Sequence, residues 1–280
     1  MHSLSKLLVI SLFSLASRSS MPIFATEVTA ANIDYEYQYF DQETYSSFSN
    51  INQKSAVVAN SKYVVEVRNE LDDKWMITVN RQPTFSVDDL PQAIVAVAKL
   101  AIILNSPDFD ADQLQPTIIG DQYVGRYKSL NLFSISKPDV LNPSLNLTQW
   151  INNLRVAAGA EPLTLVEAQK QMHQLASSDE QMDGLASWYG PYFQGRQTAS
   201  GENFEQQDFT AAHPSLPFDT YLKVTNQQNG KSVVVRINDR GPYFGDRNLD
   251  LSHAAAIALN SDEAGVVPIT ATILVDSQSN

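Results

Sequence analysis

Residues 221–238 read YLKVTNQQNGKSVVVRIN, two alternating runs about a turn that ends in Asn229-Gly230. No other stretch restricts the fold as tightly. Alternation at period two gives each run one apolar face. An Asn-Gly turn between two such runs is the strongest short-range signal for a hairpin. Val233, Val235 and Ile237 share one face of the second run; Val234 and Arg236 share the other. That run ends at Asp239, and Arg240, Gly241 and Pro242 follow at once. A carboxylate at the tip of an apolar strand is either a solvated strand end or a presented acid.

The rest of the last third has the same character. ITATILV (269–275) alternates again, Ser252 is placed to cap the short helix HAAAIAL, and Asn260 suits a left-handed stop. Many short strands with one or two short helices predict a small β-barrel over 185–276. Before it, LTLVEAQKQMHQLA carries a capping box at Thr164 and Glu167, with Leu165, Ala168, Met172 and Leu175 on one helical face. This helix belongs to a linker over 141–184. The strand patterns YVVEV and WMITV, the apolar helix AIVAVAKLAIIL and the broken strands of 116–135 predict a small α+β module over 61–140. Residues 26–60 are polar and read as a disordered leader. At the start, Lys6 precedes an apolar core, Leu7 to Leu15, and small residues follow. That is a secretory signal pattern over 1–25, too short to span a bilayer. The expectation is export to the periplasm or cell wall of a bacterium.

Composition removes several classes. A net charge of −12 argues against a nucleic-acid partner. There is no cysteine, hence no thiolate chemistry and no expected lipid anchor. The four histidines, at 2, 173, 213 and 253, have no partner at helical metal-ligand spacing, so neither metal nor cofactor is expected. No phosphate-cradling glycine loop and no GxSxG elbow is present. What remains is carboxylates with aromatic company. ASWYGPYFQGRQTASGENF crowds Trp188, Tyr189, Tyr192 and Phe193 together, then sets Glu202 behind Gly201. Such aromatics stack on sugars when exposed and make core when buried. TAAHPSLPFDT supplies His213.

These residues, in the order ASWYG, GR, TASGE, TAAH, LPF, VTN, SVVVRINDRGP, DR, LDLS, closely resemble the RlpA family of rare lipoprotein A-like lytic transglycosylases, over one small domain. The resemblance implies a double-psi β-barrel acting on bacterial cell-wall glycan. It also implies an active groove formed by Glu202, His213 and Asp239. On that reading Asp239 is the acid and then the base of a non-hydrolytic cleavage that leaves 1,6-anhydro-muramic ends. Glu202 stabilises charge or shares the proton work, and His213 positions the sugar or tunes an acid. Trp188, Tyr189, Arg196, Arg240 and Tyr243 are the expected substrate-binding residues, with Arg236 another guanidinium for the muramic carboxylate. The expected partner is the peptidoglycan glycan strand, stripped of its stem peptides. Many members of the family are lipoproteins, many carry a C-terminal SPOR repeat, and the family pattern usually has Gly in LPFGT, where this chain has Asp219. The alternative from another class is a wall-binding or loosening module of the expansin type, without turnover. Hydrolysis is a third outcome.

Overall fold

A computed structural model describes residues 7–8, 62–70, 74–136 and 141–277. Apart from Leu7 and Leu8, the expected signal segment and the 26–60 leader lie outside the described residues. The chain forms two compact units, Met1–Asp110 and Ala111–Asn280.

The first unit holds β1 (Leu7–Leu8), β2 (Val65–Asn69), β3 (Trp75–Val79), β4 (Gln82–Val87) and α1 (Leu90–Leu104). The strands pair in that order as one antiparallel sheet. Asn80 and Arg81, at φ 51° and 66°, make the two-residue turn between β3 and β4; two left-handed residues match the twist of a tight hairpin. Asp89 caps α1 by accepting from the Gln92 N–H at 2.7 Å. The helix buries Ala93, Val97, Leu100 and Leu104 on the sheet that carries Val67, Ile77 and Phe85.

The second unit begins with an antiparallel sheet of β5 (Leu114–Ile119), β6 (Gln122–Tyr127) and β7 (Leu130–Ser136). α2 (Pro143–Ala157) and α3 (Leu165–Met172) follow, the latter with both hydrogen bonds of the expected capping box. Then come β8 (Leu175–Trp188), β9 (Thr210–Ala212), β10 (Tyr221–Asn226), β11 (Ser232–Asp239), β12 (Leu249–Leu251), α4 (His253–Ala258) and β13 (Val267–Asp276). Six of these strands close into a barrel in the order β10-β11-β9-β12-β8-β13. The β11–β9 and β12–β8 pairs are parallel, the other four antiparallel. Val233, Val235 and Ile237 point into the barrel with Leu222, Val224, Leu249 and Ile269, all at 0% exposure. Each such side chain contributes about 1.5–3 kcal/mol when fully buried.

The units divide between Asp110 and Ala111, whereas the sequence suggested one module over 61–140. β5–β7 belong with the barrel because buried polar groups stitch them to it. The Arg155 guanidinium on α2 donates to the carbonyls of Asp112 and Leu114, each at 3.1 Å. Gln169 on α3 clips β11, accepting from the Val234 N–H at 2.8 Å and donating to its carbonyl at 2.9 Å. The barrel also begins earlier than 185. β8 pairs with β13 from Leu175 onward, through the polar stretch SSDEQMDG that reads as a connector. Most of the strand has a neighbour on one edge only, and residues 177–184 are exposed or half-buried, which suits polar side chains.

Candidate active site

β11 delivers Asp239 to the end of the barrel and stops there. Gly241 follows at φ 135°, which an L side chain rarely adopts, and Pro242 has no N–H to continue a ladder. The Asp239 carboxylate is half-buried and held by donors on both oxygens. Oδ1 accepts from the Ala199 and Arg240 N–H groups, each at 2.8 Å. Oδ2 accepts from the Tyr189 hydroxyl at 2.8 Å. Burial, and next its bond to Asp239, push the Tyr189 phenol well above its usual range, so it stays a neutral hydroxyl.

The loop 198–202 reaches this strand end through its own turn. Gly201, at φ 95°, lets the chain reverse. The Thr198 N–H donates to the Glu202 carbonyl at 2.7 Å and the Ser200 N–H to the Asn238 carbonyl at 3.3 Å. This seam places the Ala199 N–H on Asp239 and drops the Glu202 side chain onto the outer face of β11. There Arg236 grips Glu202 as a fork, Nη1 to Oε1 at 2.8 Å and Nη2 to Oε2 at 2.7 Å. The Asn238 amide adds a bond to Oε2 at 3.1 Å. Arg236 and Asn238 lie two apart on one strand face, which is why both reach the same carboxylate. The Glu202 bonds hold the Arg236 guanidinium above its usual range, against the opposing effect of burial.

His213 follows β9 and donates its backbone N–H to the Asp239 carbonyl at 3.2 Å. Its Nδ1 accepts from the N–H groups of Ser215 (3.1 Å) and Leu216 (2.9 Å). The ring proton therefore sits on Nε2. Burial, then the Arg240 charge, lower the imidazole pKa, so His213 is a neutral Nε2–H donor near pH 7.

Glu202, His213 and Asp239 thus come together around the end of β11, joined through backbone and loop. The predicted binding residues divide. Tyr189 turns toward Asp239, packing on Phe193 and Phe204. Trp188, one residue earlier, faces the other way; it packs against the barrel core, stacks on His253 and donates to the Asp262 carbonyl at 3.1 Å. Arg240 lies 3.8 Å over the Phe218 ring and donates to the His213 carbonyl. Arg196 lies 3.6 Å over the ring of Tyr192, which is 73% exposed. Tyr243 and Phe244 stand at 77% and 82% exposure on the loop after Pro242. Two groups are not among the expected site residues, the Asn238 amide and the Asp219 carboxylate, which accepts from Arg236 Nη1 at 2.8 Å. Asn238 stands two residues beyond Arg236, and that period-two spacing was the available signal.

Residues 181–271 match the lytic transglycolase family model. A probable endolytic peptidoglycan transglycosylase RlpA from Synechocystis sp. is 47% identical over 148 residues, which are 48% of this chain and 46% of that protein. The endolytic peptidoglycan transglycosylase RlpA of Campylobacter jejuni is 46% identical over 36% of this chain and 37% of its own length. This chain spans less than half the length of either relative. Among solved structures, the apo expansin of Clavibacter michiganensis aligns at 26% identity over 35% of this chain and 52% of that one. Its TM-score of 0.29 is too slight a likeness to bear on function.

Proposed function

We propose that the barrel domain of this chain, whose residues 181–271 match the lytic transglycolase family model, is an RlpA-type domain that cleaves peptidoglycan glycan strands as a lytic transglycosylase. The observation that carries the reading is the mounting of Asp239: a carboxylate at a strand tip, one oxygen accepting from two backbone N–H groups and the other from a neutral phenol. A solvated strand end needs none of these bonds.

In the proposed reaction Asp239, protonated on Oδ2, gives its proton to the glycosidic oxygen as the bond to the muramic C1 breaks. The leaving sugar departs with a free hydroxyl. Positive charge develops at C1 and its ring oxygen, and Glu202 supplies the compensating negative charge from its Arg236–Asn238 mount. The muramic C6 hydroxyl then attacks C1 and returns a proton to Asp239 Oδ2. One residue serves as acid and then base, no water is consumed, and the product ends in a 1,6-anhydro ring. His213 Nε2–H, held in one tautomer by two backbone donors, is available to a sugar oxygen. The exposed rings of Tyr192, Tyr243 and Phe244 offer stacking faces for sugars. We place the action in the cell wall, with peptide-stripped strands as preferred substrate and the signal pattern of residues 1–25 as the means of export.

Mass analysis of glycan strands digested by the protein tests the reaction. Anhydro-muramic ends are expected. Reducing ends indicate hydrolysis by water, and retained binding without products indicates the wall-loosening alternative; either result refutes the transglycosylase reading.

A further inference from the structure

Asp219 stands in the turn before β10 at φ 63°, in the left-handed region that most side chains avoid and that Gly, Asn and Asp tolerate. Its backbone is pinned there by an N–H bond to the Ile237 carbonyl at 2.8 Å. Its carboxylate, 76% exposed, bonds Arg236 Nη1 at 2.8 Å. Nη1 carries two hydrogens. One serves Glu202 Oε1 and the other Asp219, while Nη2 serves Glu202 Oε2. The guanidinium is therefore fixed from two sides, and its single positive charge is divided between two carboxylates.

We propose that Asp219 is a positioning residue for Glu202, acting through the shared Arg236 to orient the fork and to offset part of its charge, so that Glu202 exchanges its proton at a higher pH than it would against Arg236 alone. The proposal rests on the reading above that Glu202 belongs to the reacting site. The other groups facing Arg236 leave this balance in place. Tyr221 on β10 and Tyr123 on β6 are raised, burial being the largest cause, and stay neutral. His173, beyond α3, is lowered by burial and then by Arg236 itself, and is also neutral near pH 7. Asp208 lines one pocket with Arg236 and Tyr123, and its charge is common to wild type and an Asp219 variant; Asn238 brings an uncharged amide. Asp219 is a carboxylate bonded to the fork opposite Glu202.

Asp219→Asn isolates the effect. Asn is at home in the left-handed region and keeps an oxygen for Arg236, so only the charge is lost. Carbon-13 NMR of the full-length chain follows the Glu202 carboxyl through a pH titration, in wild type and variant, beside the pH profile of glycan turnover. Because the Asp219 carboxylate is exposed and screened, the Glu202 inflection should fall by about 0.3–0.7 pH unit in the variant. The acid limb of turnover should move with it, and the shift should shrink in high salt. A downward shift in a protein that turns over no glycan supports the coupling while contradicting the proposed function. An inflection that does not move overturns the proposal, whatever the turnover.

Discussion

At the scale of single residues, the chain uses burial to keep ionisable groups neutral and then gives them specific partners. His173 is the clearest case outside the active site. It packs against Tyr221, with Nδ1 3.2 Å from the hydroxyl, and burial, followed by the Arg236 charge, lowers its pKa to about 4. An unfolded histidine titrates near 6.5. The native state therefore favours the neutral ring. The stability this gives is fully present above about pH 6.5 and is lost as pH falls toward the folded pKa, because the unfolded chain then binds a proton the folded chain refuses. The loss reaches about 3 kcal/mol near pH 4. His173→Gln cannot take up that proton, so its unfolding free energy should decline less steeply than wild type between pH 6.5 and pH 4 in urea titrations. Parallel declines would show that His173 charges freely in the native state.

At the scale of elements, the decisive feature is how β11 is held on both faces. Inward, its valines and Ile237 fill the barrel; outward, Val234 is covered by α3 and its backbone is paired by the Gln169 amide. Gln169→Ala leaves a buried N–H and a buried carbonyl without partners, each costing about 1–3 kcal/mol. A loss of about 2–6 kcal/mol in denaturant unfolding, with an unchanged slope, is the expected result. A loss below about 0.5 kcal/mol would mean the clip holds nothing. The hairpin, the barrel face of β11, the capping box of α3 and the strand-end position of Asp239 were legible in the sequence, because alternation, Asn-Gly and capping spacing are local signals. The extent of β8 was not, since a strand paired mostly on one side has no apolar pattern to betray it. Nor was the opposite facing of Trp188 and Tyr189. Both are aromatic and adjacent, and only the partners, the Asp262 carbonyl and the Asp239 carboxylate far along the chain, tell the two apart.

At the scale of the whole molecule, the Ala111–Asn280 unit carries the barrel, its two supporting helices and the β5–β7 sheet, and the site sits where β11, the 198–202 loop and the segment after β9 converge. Glu202, His213 and Asp239 were recognisable in sequence as motif residues. Their mounting was not, because Arg236 is shared between Glu202 and Asp219, 34 and 17 positions distant. The central claim is that Asp239 exchanges the proton of bond cleavage, and Asp239→Asn addresses it directly. The amide oxygen can still accept the Ala199 and Arg240 N–H groups, while its NH₂ faces the Tyr189 oxygen, which can accept in turn. Fold and glycan binding should survive and only the proton should be lost. The measurement is the yield of anhydro-muramic ends from sacculi, wild type against Asp239→Asn, with melting temperature and sacculus pull-down matched. A fall of about 10²–10⁴-fold with binding retained is expected; product release by the variant at the wild-type rate would contradict a proton-exchanging role and leave Asp239 a structural strand end.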